Sequence, residues 1–386
     1  MNYKFSKEEW INKQAGLSSR DKDLLSRAFD TLYSNQLHTE NAPWGDYECI
    51  SPWTGANKDE GIWNWDSAFH ANTVSRFDSK LAQDCILAFT QFQMENGQFP
   101  DVIFADGTLA DNYSKPPVMA WAVENVYKRT KNIDFIKNLY PVLLENEKWW
   151  RENRFYDGLF YYSANNNPQN NDYEHPRWES GLDNSPRWDN GIVDLWAIDL
   201  NCYMVMFYNS LDFLANRMNI TNTDWKLKAD KLSDLINKKM FCEKTGMYCD
   251  VNRFTGEFSS VLTPCSFMPL YTKIATQEYA EKMCKLASNP DKLYPFMPSV
   301  SYDNPQYSLD YWRGPVWLNI AYFAAKGLKN YGFKDVANDI KEAILNMVNN
   351  DKNGIFENYD SKLQKGIFCD NFSWSAAFII EFILDF

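Results

Sequence analysis

The chain has 386 residues, 45% of them hydrophobic, and a formal net charge of −12. That length can bury a sizeable core, while the negative field repels phosphate backbones and argues against nucleic acid as a partner. The polar N-terminus MNYKFSKEEWINKQAG lacks the apolar stretch of a signal peptide, and the most apolar tail, FSWSAAFIIEFILDF (372–386), is too short to span a bilayer and carries Glu381 and Asp385, so no membrane partner is expected.

In chain order the pattern is helical. Residues 20–36 place apolar side chains at three- and four-residue spacing, with Ser18 or Ser19 as a cap. Helices are predicted over 66–77 and 79–94, the latter capped by Asp78, and over 116–130, which opens with two prolines. The series continues over 132–153, 190–217, 223–240, 275–288, 312–331, 333–349 and 372–386. No sustained apolar/polar alternation and no βαβ rhythm appear, so the reading is one all-α domain spanning 1–386, with residues 1–40 as a helical lead-in. Helix pairs with rich loops at one end point to a toroid of six helical hairpins, an (α/α)6 barrel.

The eight cysteines (49, 85, 202, 242, 249, 265, 284 and 369) form no CxxC pair and read as reduced thiols of a cytoplasmic protein. Phosphate-binding and dinucleotide fingerprints, HExxH and GxSxG are all absent. The three histidines, His38, His70 and His175, share no metal-ligand spacing, so neither a metal nor another cofactor is expected. Aromatic residues reach 16%, with 15 Trp and 22 Tyr. Carboxylates among aromatic rings remain, which is the equipment of a glycosidase: one acid protonates the leaving oxygen, one carboxylate activates water, and flat rings pack on sugar faces.

The densest segment is ESGLDNSPRWD (179–189), where Glu179, Asp183 and Asp189 accompany Gly181, Arg187 and Trp188. Its plainer reading is a capped loop before a helix at 190, with Asp189 or Asn190 as N-cap. The residues alone do not choose among the three acids.

ESGLDNSPRWD resembles the acid-bearing motif of glycoside hydrolase family 63 and the trehalase-type enzymes of its clan. WNWDSAFHA (63–71), KPPVMAWAV (115–123), YWRGPVW (311–317), and FENYD (356–360) followed by FSWSAAF (372–378) resemble further motifs of that family, in the expected order, over roughly residues 44 to 386. The resemblance implies the (α/α)6 toroid and hydrolysis of a small α-glucoside or α-mannoside with inversion. By position in the motifs, Asp183 is implied as general acid and Glu357 as general base, with Asp360 the competitor of Glu357. Trp65, Trp312 and Trp317 are then walls of the site, with Trp63, Trp374 and Tyr311 beside them. Asp66 holds sugar hydroxyls unless it is simply the N-cap of its helix, and His70 lies one turn later on the same face. Gln98, Glu179, Gly181, Arg187, Trp188, Arg313 and Gly314 complete the expected substrate-binding set.

The sequence departs from the trehalase pattern, with GANKDEGIWN ahead of the first Trp-Asp and YWRGPVW in place of Q-W-D-Y-P-N-G-W, which argues against strict trehalose hydrolysis. The compact bacterial members it resembles include hydrolases of mannosylglycerate and glucosylglycerate. An anionic aglycone would want a basic group from among Lys115, His175, Arg177, Arg187 and Arg313. A trehalase-like hydrolase is the alternative. A sugar epimerase would favour paired histidines, and an inactive sugar-binding module would lack one of the two carboxylates.

Overall fold

A computed structural model describes residues 6–37, 42–54, 61–162, 175–191 and 194–386, with the side chains of His175, Asn190 and Gly191 excepted. His38, one of the three histidines weighed above, lies outside the described residues.

Helices dominate, and they fall into two physical classes. Asn64–Val74 is buried at every position, and Ser373–Leu384, Leu318–Asn330 and Ile198–Arg217 are buried over most of theirs. A helix buried on all faces, polar side chains included, must be enclosed by other elements. Ser19–Ser34, Trp225–Lys239, Gln277–Ala287 and Lys334–Asn350 instead bury a stripe and expose the rest, as surface helices do.

The buried class, joined by Met119–Thr130 and two short segments, closes a ring. Asn64–Val74 packs on Met119–Thr130, then Ile198–Arg217, then the short 3-10 and α segments Pro264–Phe267 and Met268–Tyr271, then Leu318–Asn330, then Ser373–Leu384, which returns to Asn64–Val74. Five of the ring members are backed by an outer helix, four of these by the next helix in sequence. Ser79–Thr90 backs Asn64–Val74, Ile133–Asn153 backs Met119–Thr130, and Trp225–Lys239 backs Ile198–Arg217. Lys334–Asn350 backs Leu318–Asn330, and Ser19–Ser34, from the segment read as a lead-in, packs on Ser373–Leu384. The architecture is the expected (α/α)6 toroid.

The caps explain several helix starts. Ser18 accepts from the Asp21 N–H at 3.1 Å while the Asp21 carboxylate accepts the Ser18 N–H, a reciprocal capping box. Asp78 accepts from the Leu81 N–H at 3.0 Å, as predicted. Most helix starts fall within three residues of the reading above, and two differ by more. The helix predicted from 190 begins at Ile198, after a 3-10 turn over Pro186–Gly191 and a short strand, Leu195–Trp196. The helix predicted from 312 begins at Leu318. In both places loop residues carry aromatic spacing that mimics a helical stripe. Short antiparallel hairpins also occur, such as Asn358–Asp360 with Lys365–Ile367 and the three-stranded sheet of Gly61–Trp63, Val102–Phe104 and Leu109–Ala110. Strands of two or three residues are too short to show alternation in sequence.

The connections are asymmetric. Links from inner to outer helix are tight turns, such as 75–78, 131–132 and 331–333, whereas outer-to-inner links are long and irregular. One of them is bolted to the ring by a buried charge cluster. Arg187, 2% exposed, donates to Asp199 at 2.7 and 3.0 Å and to Asp250 at 2.7 and 2.8 Å. Asp250 also accepts the Ile198 N–H at 2.9 Å, capping the inner helix Ile198–Arg217. Replacing Arg187 by Met leaves two buried carboxylates without their cation, a loss on the order of 3–5 kcal/mol. Denaturant unfolding should show that loss, whereas Lys226→Ala, at an exposed i,i+4 pair with Asp230, should change stability by less than about 1 kcal/mol.

Candidate active site

The long outer-to-inner links deliver their side chains to one rim, at the N-terminal ends of the inner helices. There a cavity of about 320 Å³ is lined by Trp63, Trp65, Asp66, Lys115, Gly181, Asp183, Tyr311, Trp312, Trp317, Glu357 and Trp374, with Pro52, Trp53, Cys369 and Phe372. Its size is at the small end of ligand pockets.

Indole rings build the walls. Trp312 and Trp317 stack with centroids 3.7 Å apart and planes within 7°. Trp374 lies 5.6 Å from Trp317 and 5.0 Å from Trp65, which it meets edge to face. The Trp317 Nε1–H donates to the Tyr311 carbonyl at 2.9 Å, so one wall is tied to the loop that carries its neighbour. Gly181 is required here: its φ is +72°, and a Cβ would stand 2.4 Å from the Trp65 ring. Gly314 allows an equally close approach, with a Cβ falling 2.1 Å from the Ser308 carbonyl, but it acts behind the wall rather than in it.

The acid-bearing loop 179–189 is held at three points. Glu179, fully buried, forms a two-pronged pair with Arg154 at 2.8 and 3.0 Å. Asp189 pairs with Arg313 at 2.5 and 3.0 Å and with Arg177 at 3.1 Å. Arg187 is anchored to Asp199 and Asp250 as described. Between these points Asn184 accepts the Trp312 N–H at 2.7 Å, joining the loop to the 311–317 segment. Among the three acids, only Asp183 faces the cavity, and no described group donates a hydrogen bond to its carboxyl. Burial raises Asp183 above the usual carboxylate range, with Lys115 opposing.

Glu357 lines the same cavity, just ahead of the hairpin strand Asn358–Asp360, and is 8% exposed. Tyr311 donates to Glu357 Oε1 at 2.8 Å. Tyr311 holds the left-handed φ of 49°, a strained conformation that aims its phenol at the carboxylate. Burial pushes Glu357 up. Donation by Tyr311 and by the Cys369 N–H and thiol pulls it back, and Asp183 adds repulsion. Asp360, the competing acid, is turned to its own loop, where it accepts the Lys362 and Leu363 N–H groups.

Asp66 is not an N-cap, since its helix starts at Asn64; its carboxyl lines the cavity, 3% exposed, and is pushed to about 8 by burial, then by Asp101. Several expected residues lie behind the cavity. His70 is fully buried, 2.8 Å from the Ser373 hydroxyl, and burial lowers it to about 3, so it serves as a neutral tie between two inner helices. Gln98 donates to the Asp111 carbonyl at 2.8 Å, and Trp188 is buried beside Tyr162 and Arg187. Arg187, Arg313 and Glu179 are consumed in the ion pairs above, so these residues position the loop rather than line the cavity. Of the basic groups considered for an anionic aglycone, Lys115 alone lines it among the described residues; the His175 side chain lies outside them.

Sequence reasoning missed Pro52, Trp53, Phe372 and Cys369. Phe372 falls within the FSWSAAF segment singled out in the sequence, but Cys369 reaches the site through hairpin pairing, where its carbonyl accepts the Glu357 N–H at 2.8 Å.

With this geometry in place, similarity to known proteins gives it a context. A mannosylglycerate hydrolase from Rubrobacter radiotolerans is 24% identical over 84% of this chain and 90% of the relative. A mannosylglycerate hydrolase from Thermus thermophilus is 25% identical over 82% of this chain and 92% of the relative. Among solved structures, a family 63 mannosylglycerate hydrolase from Thermus thermophilus in complex with glucose superposes with a TM-score of 0.79 at 22% identity, covering 92% of this chain and 99% of that one. Neutral trehalase Nth1 of Saccharomyces cerevisiae reaches a TM-score of 0.72 at 19% identity, over 88% of this chain and 73% of its own. At such identities these structures show the shared fold. The sequence profile of the mannosylglycerate hydrolase MGH1-like glycoside hydrolase domain matches residues 59–375, a span that takes in the cavity motifs from Trp63 to Trp374. The chain belongs to this MGH1-like family and is a glycoside hydrolase.

Proposed function

We propose that the chain is an inverting, exo-acting α-glycosidase of small glycosides, with mannosylglycerate, the substrate named for its relatives, as the first compound to test. Asp183 is the general acid and Glu357 the general base. One observation carries this reading: two carboxyls line one cavity in different surroundings. Asp183 sits in a dense environment without a described donor, which favours its protonated form. Burial raises Glu357 as well, but Glu357 accepts from Tyr311 and Cys369, and these bonds, which Asp183 lacks, favour its ionised form. Inversion requires this division of roles, one group entering with its proton and the other without.

The steps follow from the lining. The sugar is held against the indoles, with Asp66 at its hydroxyls. The Asp183 proton passes to the glycosidic oxygen as the bond to the anomeric carbon breaks. Glu357 takes a proton from the water that attacks the opposite face, so the released sugar has the inverted configuration.

Asp183→Asn and Glu357→Gln are each expected to lower kcat at least about 100-fold with the fold retained by circular dichroism. Wild-type turnover in either variant would remove that residue from the mechanism. NMR of the first product should show the β-anomer; initial release of the α-anomer would exclude inversion. Comparing release of sugar from mannosylglycerate, glucosylglycerate, an aryl α-glucoside and trehalose tests the substrate class.

Tyr311→Phe removes a donor that holds the Glu357 proton affinity down. The base must be ionised to act, so the acidic limb of kcat/KM should move to higher pH, by about one unit. An unmoved limb would show that Tyr311 does not tune the base.

A further inference from the structure

One cation faces the cavity among the described residues, and it is shared with a carboxyl behind the wall. Lys115 lines the cavity, 8% exposed, and its Nζ lies 3.3 Å from Asp101 Oδ2. It also donates to the Trp178 carbonyl and lies 5.3 Å over the Tyr113 ring. Asp101 is 5% exposed, and its other oxygen, Oδ1, is buried with no hydrogen-bond partner among the described residues. A buried carboxylate oxygen left without a donor is costly, so its retention calls for an explanation. The Asp101 backbone is firmly placed. Its N–H donates to the Ala110 carbonyl at 2.7 Å, and its carbonyl accepts the Asn64 N–H at 2.9 Å, at the start of the helix that carries Asp66.

We propose that Asp101 and Lys115 form a charge-balancing pair that sets the protonation of the acid Asp183, Asp101 being a positioning residue that acts through Lys115. The inference rests on the assignment of Asp183 as general acid. Four carboxyls, Asp66, Asp101, Asp183 and Glu357, interact around one cavity. The charged and titratable groups facing Asp183 are Lys115, Asp101, Tyr113, Tyr311 and Glu357. Asp66 faces Lys115, Asp101, Glu357 and Tyr311.

Without a cation, mutual repulsion would drive protons onto all of these acids, the base included. With an unshared cation at the same place, Asp183 would be pulled down and would enter catalysis already ionised. A lysine whose field is partly cancelled by Asp101 avoids both extremes. Burial, opposed by Lys115 and reinforced by Asp183, places Asp101 at about 6, so it carries its balancing charge at neutral pH. The Lys115 ammonium is raised despite burial, by Asp101 and Asp183, and stays charged over the same range.

The pair predicts opposite responses from two single variants. Lys115→Gln removes the cation, raises the proton affinity of Asp183, and should move the basic limb of kcat/KM to higher pH by about one unit. Asp101→Asn frees the cation and should move that limb to lower pH by a similar amount. The double variant exchanges an ion pair for two amides and should bring the limb back near its wild-type position, and Lys115→Arg, which keeps the charge, should leave it in place. These profiles are measured on an aryl α-glycoside that the enzyme turns over, with circular dichroism on each variant. A limb that moves the same way in both single variants, or in neither, overturns the proposal. If one single variant fails to fold, an unmoved limb in the other, or a double variant that does not return toward wild type, has the same force. Asp183→Asn separates the two readings. Loss of the basic limb there with no movement in the Asp101 and Lys115 variants defeats the pair alone, whereas a basic limb retained in Asp183→Asn defeats the assignment of Asp183 on which the pair depends.

Discussion

Arg187 sits where three parts of the chain meet, and its guanidinium is saturated by two buried carboxylates. Asp199 belongs to the first turn of an inner helix, and Asp250 belongs to the next outer-to-inner link and caps that same helix. An arginine fork fits two carboxylates in fixed planes, which a lysine would not. The acid-bearing loop therefore leaves the ring at a set angle. Arg154 on Glu179 and Arg313 on Asp189 fix its other points. Everything that gives Asp183 its surroundings depends on this clamp, because the acid itself has no described partner to hold it.

The toroid explains why the site lies at one rim. Tight inner-to-outer turns leave no room for side chains with other tasks. The long links opposite carry the aromatic and acidic segments, and they end at the N-termini of inner helices. Those ends carry partial positive charge and unpaired N–H groups, which favour carboxylates nearby. Asp66, in the first turn of Asn64–Val74, sits in that field. The stacked indoles at 312 and 317 make a rigid apolar wall, so water is displaced when a sugar enters and the charges inside act at greater strength.

Within the cavity the balance of charge is narrow. Burial raises all four carboxyls, and what separates them is the local donors and the one cation that faces them among the described residues. Tyr311 and Cys369 act on Glu357, while Lys115 acts on Asp183, Asp101 and Asp66. The strained backbone of Tyr311 and the unsatisfied oxygen of Asp101 are departures from ideal local structure. Both lie at the site, where such strain is found when the surrounding fold enforces it.

Amphipathic spacing by itself determined the outer helices, because a half-exposed helix must repeat every 3.6 residues to bury one stripe. It also determined the Ser18 and Asp78 caps, which are local contacts between near neighbours. The motif order determined the family and the broad chemistry, with the aromatic loops marking most of the cavity. Tertiary structure decided the rest. Inner helices such as Asn64–Val74 and Ser373–Leu384 are buried on every face and carry little period, and only closure of the ring shows which helices are inner and which neighbours they take. The choice of Asp183 over Glu179 and Asp189 at the cavity depends on arginines 25 and 124 positions away in sequence, and Glu357 is set apart from Asp360 by the direction of a hairpin. Arg187, Arg313 and His70 look like site residues in one dimension because they share motifs with the acids. In three dimensions they hold the scaffold, since a charge or polar group facing the interior must find its partner there, and the partner comes from a distant part of the chain.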